Sequence, residues 1–360
     1  MVAATKRDSI MTATTSQHAG LKPLSGVKVI EIEGIGPAPF CGQFLHELGA
    51  EVTLVKRPSG GMQFPEPPLL ERGKTIITAD LKTEGGVANV LAFIKDADCL
   101  IEGMRPGVME KLGLGPKDVH AQNPALIYGR VTGWGQDGPL SHVAGHDINY
   151  AALSGALWYG GQPGQPPFSP PSLLADIGGG ALYLTIGILS ALLHARTTGE
   201  GQVIDAAMVD GSAHMMNLLL SLMPFGQLQE TRGQSLLDGP HWYNSYICAD
   251  GEFITIGSLE PKFYALLLDK LELSDDAGFQ AQMNAKNWPD LTRRLDRIFR
   301  TKTQAEWCEI MEGTDICFAP VLSPMKAAEH PHIKARGIYR EEHGGLRAVT
   351  APRFSPLKPE

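Results

Sequence analysis

Two short segments carry residues fit for acid–base chemistry. Gly145-His146-Asp147-Ile148-Asn149-Tyr150 offers an imidazole, and Ala175-Asp176-Ile177-Gly178-Gly179-Gly180 offers a carboxyl just before a long apolar stretch. An imidazole and a carboxyl can act as unlike partners, one basic while the other holds a proton. Bare backbone N–H groups at a helix start add an electrostatic sink, so the set suits removal and return of a proton beside a carbonyl. Each residue also has a structural reading. Asp176 can be a plain N-cap, with glycines that only allow close packing. His146 can be a histidine satisfied by backbone. Asp147 is expected to cap a helix starting at Ile148 rather than to catalyse.

Three further places stand out where a strand gives way to a loop. Glu260, in Gly257-Ser258-Leu259-Glu260-Pro261, either orients an imidazole and raises its basicity or is a surface acid before a helix opened by Pro261. Arg105 follows a strand in Ile101-Glu102-Gly103-Met104-Arg105-Pro106-Gly107. Open α/β sheets bind ligands beyond the carboxyl ends of their strands, so Arg105 is either an anion ligand or a loop salt bridge. The second strand ends in Lys56-Arg57. A ribose-binding site wants Asp or Glu there, whereas a basic end suits a phosphomonoester or is a solvated pair of charges. The turn Gly34-Ile35-Gly36-Pro37-Ala38-Pro39 is not a dinucleotide fingerprint, because Pro39 stands in place of the third glycine and the prolines remove amides.

The elements that must position these groups alternate. Val27–Ile32, Val52–Val55, Thr75–Ile77 and Cys99–Ile101 have strand chemistry. Helical spacing runs from Phe40 to Leu48, with Gly49 as its stop, and again near 86–95. This alternation predicts an α/β fold: a Rossmann-like parallel sheet in a large domain. Residues 160–172 form a Pro/Gly-rich loop feeding Asp176, then a helix is expected over 179–196. Val203–Met208 is a strand or a helix entry, and an apolar helix is expected over 214–222. Asp250-Gly251 joins a hairpin, and the texture from Trp242 on predicts a smaller α+β domain over 240–325. Residues 21–225 and 326–360 then form the large domain. The stretch from Pro320 to the end reads as loop-rich, and residues 1–20 as a disordered tail.

Bulk composition narrows the field. The 360 residues are 43% hydrophobic and 19% charged, with a formal net charge of −8. That balance disfavours nucleic acid as a partner, although a local basic pocket can still hold phosphates. Five scattered cysteines without Cys-x-x-Cys spacing predict free thiols in a reducing compartment, no structural metal, and a cytoplasmic location. The polar, acid-poor start also fits a transit peptide. Ala181–Leu193 is shorter than the ~20 apolar residues of a membrane span, so a core helix and no membrane insertion are expected.

Taken together, the segments resemble the α-methylacyl-CoA racemases within the family III CoA-transferase superfamily. The resemblance runs from about Leu24 to about Phe354. It rests on Leu24-Ser25-Gly26-Val27-Lys28-Val29-Ile30-Glu31, Ala79-Asp80-Leu81-Lys82, Glu102 to Gly107, Thr132-Gly133-Trp134-Gly135-Gln136-Asp137-Gly138-Pro139, Gly145 to Tyr150, and Gly201-Gln202-Val203-Ile204-Asp205. Family III transferases share the aspartate but usually lack a histidine at the place of His146.

The resemblance implies that His146 and Asp176 are the acid–base pair, with Glu260 paired to His146. It implies a coenzyme A site lined by Arg57, Ala79, Asp80, Leu81, Lys82, Gly103, Met104, Arg105, Gly145, His146, Asp147 and Tyr150. Lys111 stands where the family would place a phosphate-holding arginine, which keeps the charge but loses the bidentate fork. The implied substrate is an acyl-CoA thioester, with coenzyme A part of the substrate and no other cofactor. The implied assembly is an interlocked homodimer, in which Glu260 comes from the partner chain. The implied reaction is a 1,1-proton transfer at C2 of a 2-methylacyl-CoA through an enolate. The alternatives are a CoA-transferase with Asp176 as nucleophile and a catalytically silent CoA-binding protein. Met208, Met215, Met216 and Met223 read either as an adaptable acyl surface or as simple core.

Overall fold

The computed structural model describes residues 21–58, 69–342 and 344–356, so the expected tail at 1–20 lies outside the described residues. Six parallel strands form the main sheet: β1 (Lys28–Ile32), β2 (Glu51–Lys56), β3 (Thr75–Thr78), β4 (Cys99–Glu102), β5 (Ile127–Thr132) and β6 (Val203–Ala207). Their spatial order is β3-β2-β1-β4-β5-β6, so the direction of winding reverses between β1 and β4. Side-chain alternation builds a core on each face of the sheet. Val29 and Ile101 point into one core with Leu45, Leu184 and Ile188; Ile30 and Leu100 point into the other with Ile94 and Tyr128.

Helices α1 (Pro37–Glu47) and α2 (Glu84–Ile94) make the first crossovers. Pro37 sits at the first position of α1, where its missing N–H costs nothing. Thr83 caps α2 by accepting the Gly86 N–H at 3.1 Å. Helix α3 spans Asp147–Leu153. The stretch expected as a helix over 179–196 is longer: a π-helix over Leu173–Ala181 runs directly into α4 (Leu182–Thr198). This continuous 26-residue helix is long and apolar enough to cross a membrane. In this chain one side of it packs on the sheet: Leu184 and Ile188 fill the space left by Gly129 on β5, and Gly187 makes room for Ile204 on β6.

Val203–Met208 resolves both readings of that segment, as β6 followed at once by α5 (Met208–Met215). The helix expected over 214–222 is broken. The chain tightens at Met216, whose N–H bonds Ala213 O, and only a single turn over Asn217–Leu220 follows. Leu218 there is exposed, so apolar composition alone does not hold a helix without a face to bury it on.

A separate core gathers Trp242, Tyr246, Ile254, Leu267, Leu295, Phe299 and Ile316. It is built on the antiparallel sheet β7 (Tyr243–Ile247), β8 (Phe253–Gly257) and β9 (Phe318–Val321), covered by α6 (Pro261–Lys270), α7 (Trp288–Phe299) and α8 (Gln304–Met311). Gly251, at φ +80°, turns the expected hairpin. The C-terminal part is not loop-rich. Pro324 and Pro331 open short helices rather than breaking them, and β10 (Tyr339–Glu342) pairs with β11 (Gly345–Ala348). This last hairpin returns to the large sheet's layer, with Arg347 bonded to Glu47 of α1 at 3.1 Å.

Candidate active site

The order reverses between β1 and β4, and the carboxyl ends flanking such a reversal are where open α/β sheets form their ligand crevice. Gly36 turns the chain from β1 into α1 at φ +68°, a conformation open to glycine at little strain. A Cβ on Gly36 would lie 3.6 Å from Asp176 Oδ2, so this turn touches the carboxyl. Gly103, just past β4, would place its Cβ 3.4 Å from Ala38 of α1. Asp176 is thereby brought to the crevice by a helix that begins far along the sequence.

Asp176 is not an N-cap. It lies inside the π-helix, where Ile177 N–H bonds Ser172 O. The amides that open this helix are already used: Asp147 Oδ1 accepts from Ala175 N–H at 2.7 Å and from Asp176 N–H at 2.9 Å. Asp147 therefore caps the π-helix from another segment, not α3, whose N-cap is His146. The three glycines serve packing. A Cβ on Gly179 would meet Ser212 Oγ at 2.6 Å, one on Gly180 would meet Met208 at 2.7 Å, and one on Gly211 would meet Gly179 O at 1.9 Å. The free amides expected around Asp176 and Gly178 are thus replaced by a helix start whose amides at Ala175 and Asp176 are satisfied by the Asp147 carboxylate.

The electrostatics join the groups. Burial raises the Asp176 pKa first and the charge of Asp147 raises it further, while a hydrogen bond from Ser172 and the charge of His146 oppose the rise. Asp176 is half-buried and His146 exposed. The His146 backbone N–H donates to Asn149 Oδ1 at 3.1 Å, half of a capping box that holds the first turn of α3. The Tyr150 phenol donates to Gly145 O, and its ring meets Trp134 edge-on at 4.7 Å. Burial, then Asp176, raise the Tyr150 pKa, and Arg105 opposes them. His146, Asp147, Tyr150, Asp176 and Arg105 therefore share one electrostatic neighbourhood.

The other predicted residues ring the same strand ends. Arg57 is not a lone charge, since its Nε donates to Glu33 Oε2 at 2.9 Å across the ends of β2 and β1. Ala79 to Lys82 form the turn after β3, with Asp80 Oδ1 accepting the Lys82 N–H at 3.0 Å. Gly103, Met104 and Arg105 follow β4, and Lys111 ends a single helical turn over Val108–Lys111. Glu260 stands apart. It is the exposed N-cap residue of α6, in the smaller core's layer, and makes no side-chain cap bond. The described chain does not bring Glu260 to His146.

Sequence reasoning missed Ser172, Gly36 and the capping role of Asp147. Ser172 adopts φ +58°, for which its Pro-rich flanks gave no sign. Met208 and Met215 pack on Gly180 and Gly178, so these two methionines line the helix that carries Asp176.

Comparison with known proteins gives a consistent picture. Residues 24–359 match the family model of CoA-transferase family III. The chain is 45% identical over 336 residues to the α-methylacyl-CoA racemase of Mus musculus, covering 93% of this chain and 86% of that one. It is 42% identical over 337 residues to the Homo sapiens α-methylacyl-CoA racemase, with the same coverage of 93% and 86%. A crystal structure of a CAIB/BAIF family protein from Brucella suis superposes with a TM-score of 0.78 at 29% identity, covering 93% of each chain.

Proposed function

The chain belongs to CoA-transferase family III, and within that family we propose that it is an α-methylacyl-CoA racemase. It interconverts the 2R and 2S epimers of 2-methylacyl-CoA thioesters by 1,1-proton transfer. One observation carries the reading: a half-buried Asp176 carboxyl lies against the Gly36 turn that follows β1, and the charge of His146 acts on it.

The thioester carbonyl acidifies the proton on C2. His146 or Asp176 removes it, a planar enolate forms, and the other group returns a proton to the opposite face. Burial and the nearby Asp147 keep Asp176 better able to hold a proton than an ordinary carboxyl, which suits the acid half of that exchange. The coenzyme A portion of the substrate is placed against Arg57, Ala79 to Lys82, Gly103 to Arg105, Lys111 and Gly145 to Tyr150. The reaction uses no cofactor beyond the coenzyme A that the substrate brings.

The working form is proposed to be an interlocked homodimer. Ile148, Leu153, Leu173, Leu193, Leu218 and Phe225 are exposed in the single chain, and a second copy that covers them can also deliver Glu260 to His146. All five cysteines are free, which favours the reducing cytoplasm; recovery of the enzyme in an organelle fraction would count against that location.

The test is incubation of a single-epimer 2-methylacyl-CoA in deuterated water, with and without a free carboxylate acceptor. Deuterium at C2 with inversion, in the absence of acceptor, is expected. Acceptor-dependent movement of coenzyme A without labelling would make the protein a transferase that uses Asp176 as nucleophile. Binding of coenzyme A with neither outcome would make it a silent binding protein.

A further inference from the structure

Arg130 lies on β5 and is 6% exposed. Its Nε donates to Glu102 Oε1 at 2.8 Å. Its two terminal nitrogens donate to the two carboxylate oxygens of Glu110, at 2.8 and 3.2 Å. The second oxygen of Glu102 accepts the Met104 N–H at 2.6 Å. A closed chain of charge-assisted bonds thus runs Glu110–Arg130–Glu102–Met104. It brackets the segment Gly103–Lys111, which is further shaped by a left-handed turn at Gly107, φ +79°. Just beyond the segment, Tyr128 under the Arg130 guanidinium donates to Leu114 O at 2.8 Å.

The bracketed segment carries Arg105 and Lys111, both exposed and without an ion-pair partner among the described residues. The buried cation is spent entirely on two carboxylates, while the exposed cations face solvent. Buried ion networks add little net stability, because desolvation offsets much of the attraction. They do fix geometry, and a fixed ligand loop loses less freedom when it binds. We infer that Arg130, clasped between Glu102 and Glu110, is a positioning residue that presents Arg105 and Lys111 to the phosphate groups of the coenzyme portion. It acts on binding and not on proton transfer. The inference rests on the coenzyme site proposed above.

Glu110→Gln tests it by sign. Glu110 is the half-exposed end of the clasp, so its neutral variant leaves no buried charge stranded. Through-space electrostatics alone predicts that loss of an acid beside phosphate-binding cations tightens binding. The clasp predicts the reverse: KM for 2-methylacyl-CoA and Kd for free coenzyme A rise about tenfold, the scale of one charge-assisted bond, with kcat unchanged. Arg130→Lys, which cannot grip both carboxylates, is expected to do the same. Arg105→Ala is the control. Should it bind coenzyme A normally, the site assignment itself is wrong. Should Arg105→Ala lose binding while Glu110→Gln binds equally or more tightly, the site stands and the positioning role falls.

Discussion

Asp176 and Glu260 look alike in sequence, each a carboxylate at the approach to a helix flanked by glycine or proline. The folded chain treats them oppositely. Asp176 is drawn into a π-helix, half-buried against the Gly36 turn, with a second carboxylate close by. Glu260 sits at the start of an ordinary α-helix, exposed and without a side-chain cap bond, with its charge bearing on Cys317 of the same layer. The residue type is almost constant between the two regions and the surroundings are not. What lifts a carboxyl above its ordinary pKa is desolvation and a like charge, and Asp176 has both. The π-helix places Asp176 in its first turn, where Asp147 accepts its N–H and the Gly36 turn lies against its carboxyl.

The sharpest way to break the contrast is to remove the acid–base groups. Asp176→Asn and His146→Ala are each expected to lower racemisation by about 10²–10⁴-fold, the usual worth of a positioned acid or base. Each variant should still exchange deuterium into one epimer and not the other, because one face keeps its group. Wash-out of label from each pure epimer, followed by mass spectrometry, reads this directly. Racemisation at the normal rate by either variant would remove that residue from the mechanism.

Glu260 is expected to matter less, and from across an interface. Glu260→Gln should lower the rate by about tenfold, the loss of one charge-assisted hydrogen bond to the imidazole. Co-expressed chains locate the effect. In a mixed dimer of a His146→Ala chain and a Glu260→Gln chain, action between chains leaves one fully intact site, and about half of normal activity returns. Action within one chain leaves no intact site, and the mixed dimer stays near the low level of Glu260→Gln. The comparison between the two carboxylates therefore becomes a statement about which chain each one serves.

The parallel sheet was legible because each strand is a short run of β-branched and aliphatic residues between helical spacings, and burial on both faces keeps that signal clean. β5 escaped because Gly129 and Arg130 interrupt its run; both are used there, one to admit Leu184 and the other to reach Glu102. His146, Asp176 and Arg105 were legible as chemistry-bearing residues within two positions of a glycine. Their environment was not, because it comes from distant partners. Nothing near Asp147 in sequence says that its carboxylate will cap a helix 28 residues away. Nothing in Gly178-Gly179-Gly180 distinguishes room for a substrate from room for α5. The helix that starts six residues before the expected 179 illustrates the same limit, since its first turn is secured by a side chain from α3 and not by a local cap.

Asp147 offers the finest test, because it holds two roles that one substitution can separate. Its carboxylate caps the π-helix through Oδ1, and its charge helps to raise the Asp176 pKa. Asp147→Asn keeps an oxygen for the two amides and removes the charge. With one raising influence gone, the Asp176 pKa falls toward the ordinary carboxylate value, though burial, the larger cause, still holds it up. Asp176 then keeps its proton less well at any pH above that value. The limb of the kcat/KM profile that follows Asp176 should move to lower pH, and conversion of the epimer that needs Asp176 as acid should slow modestly at neutral pH. Melting temperature should change little. Asp147→Ala instead strips the cap and leaves two amides unpaired, at a stability cost of about 1–3 kcal/mol per group left buried without a partner. A pH profile unmoved by Asp147→Asn, together with a lower melting point for Asp147→Ala, would reduce Asp147 to a cap and leave burial alone to account for the difference between Asp176 and Glu260.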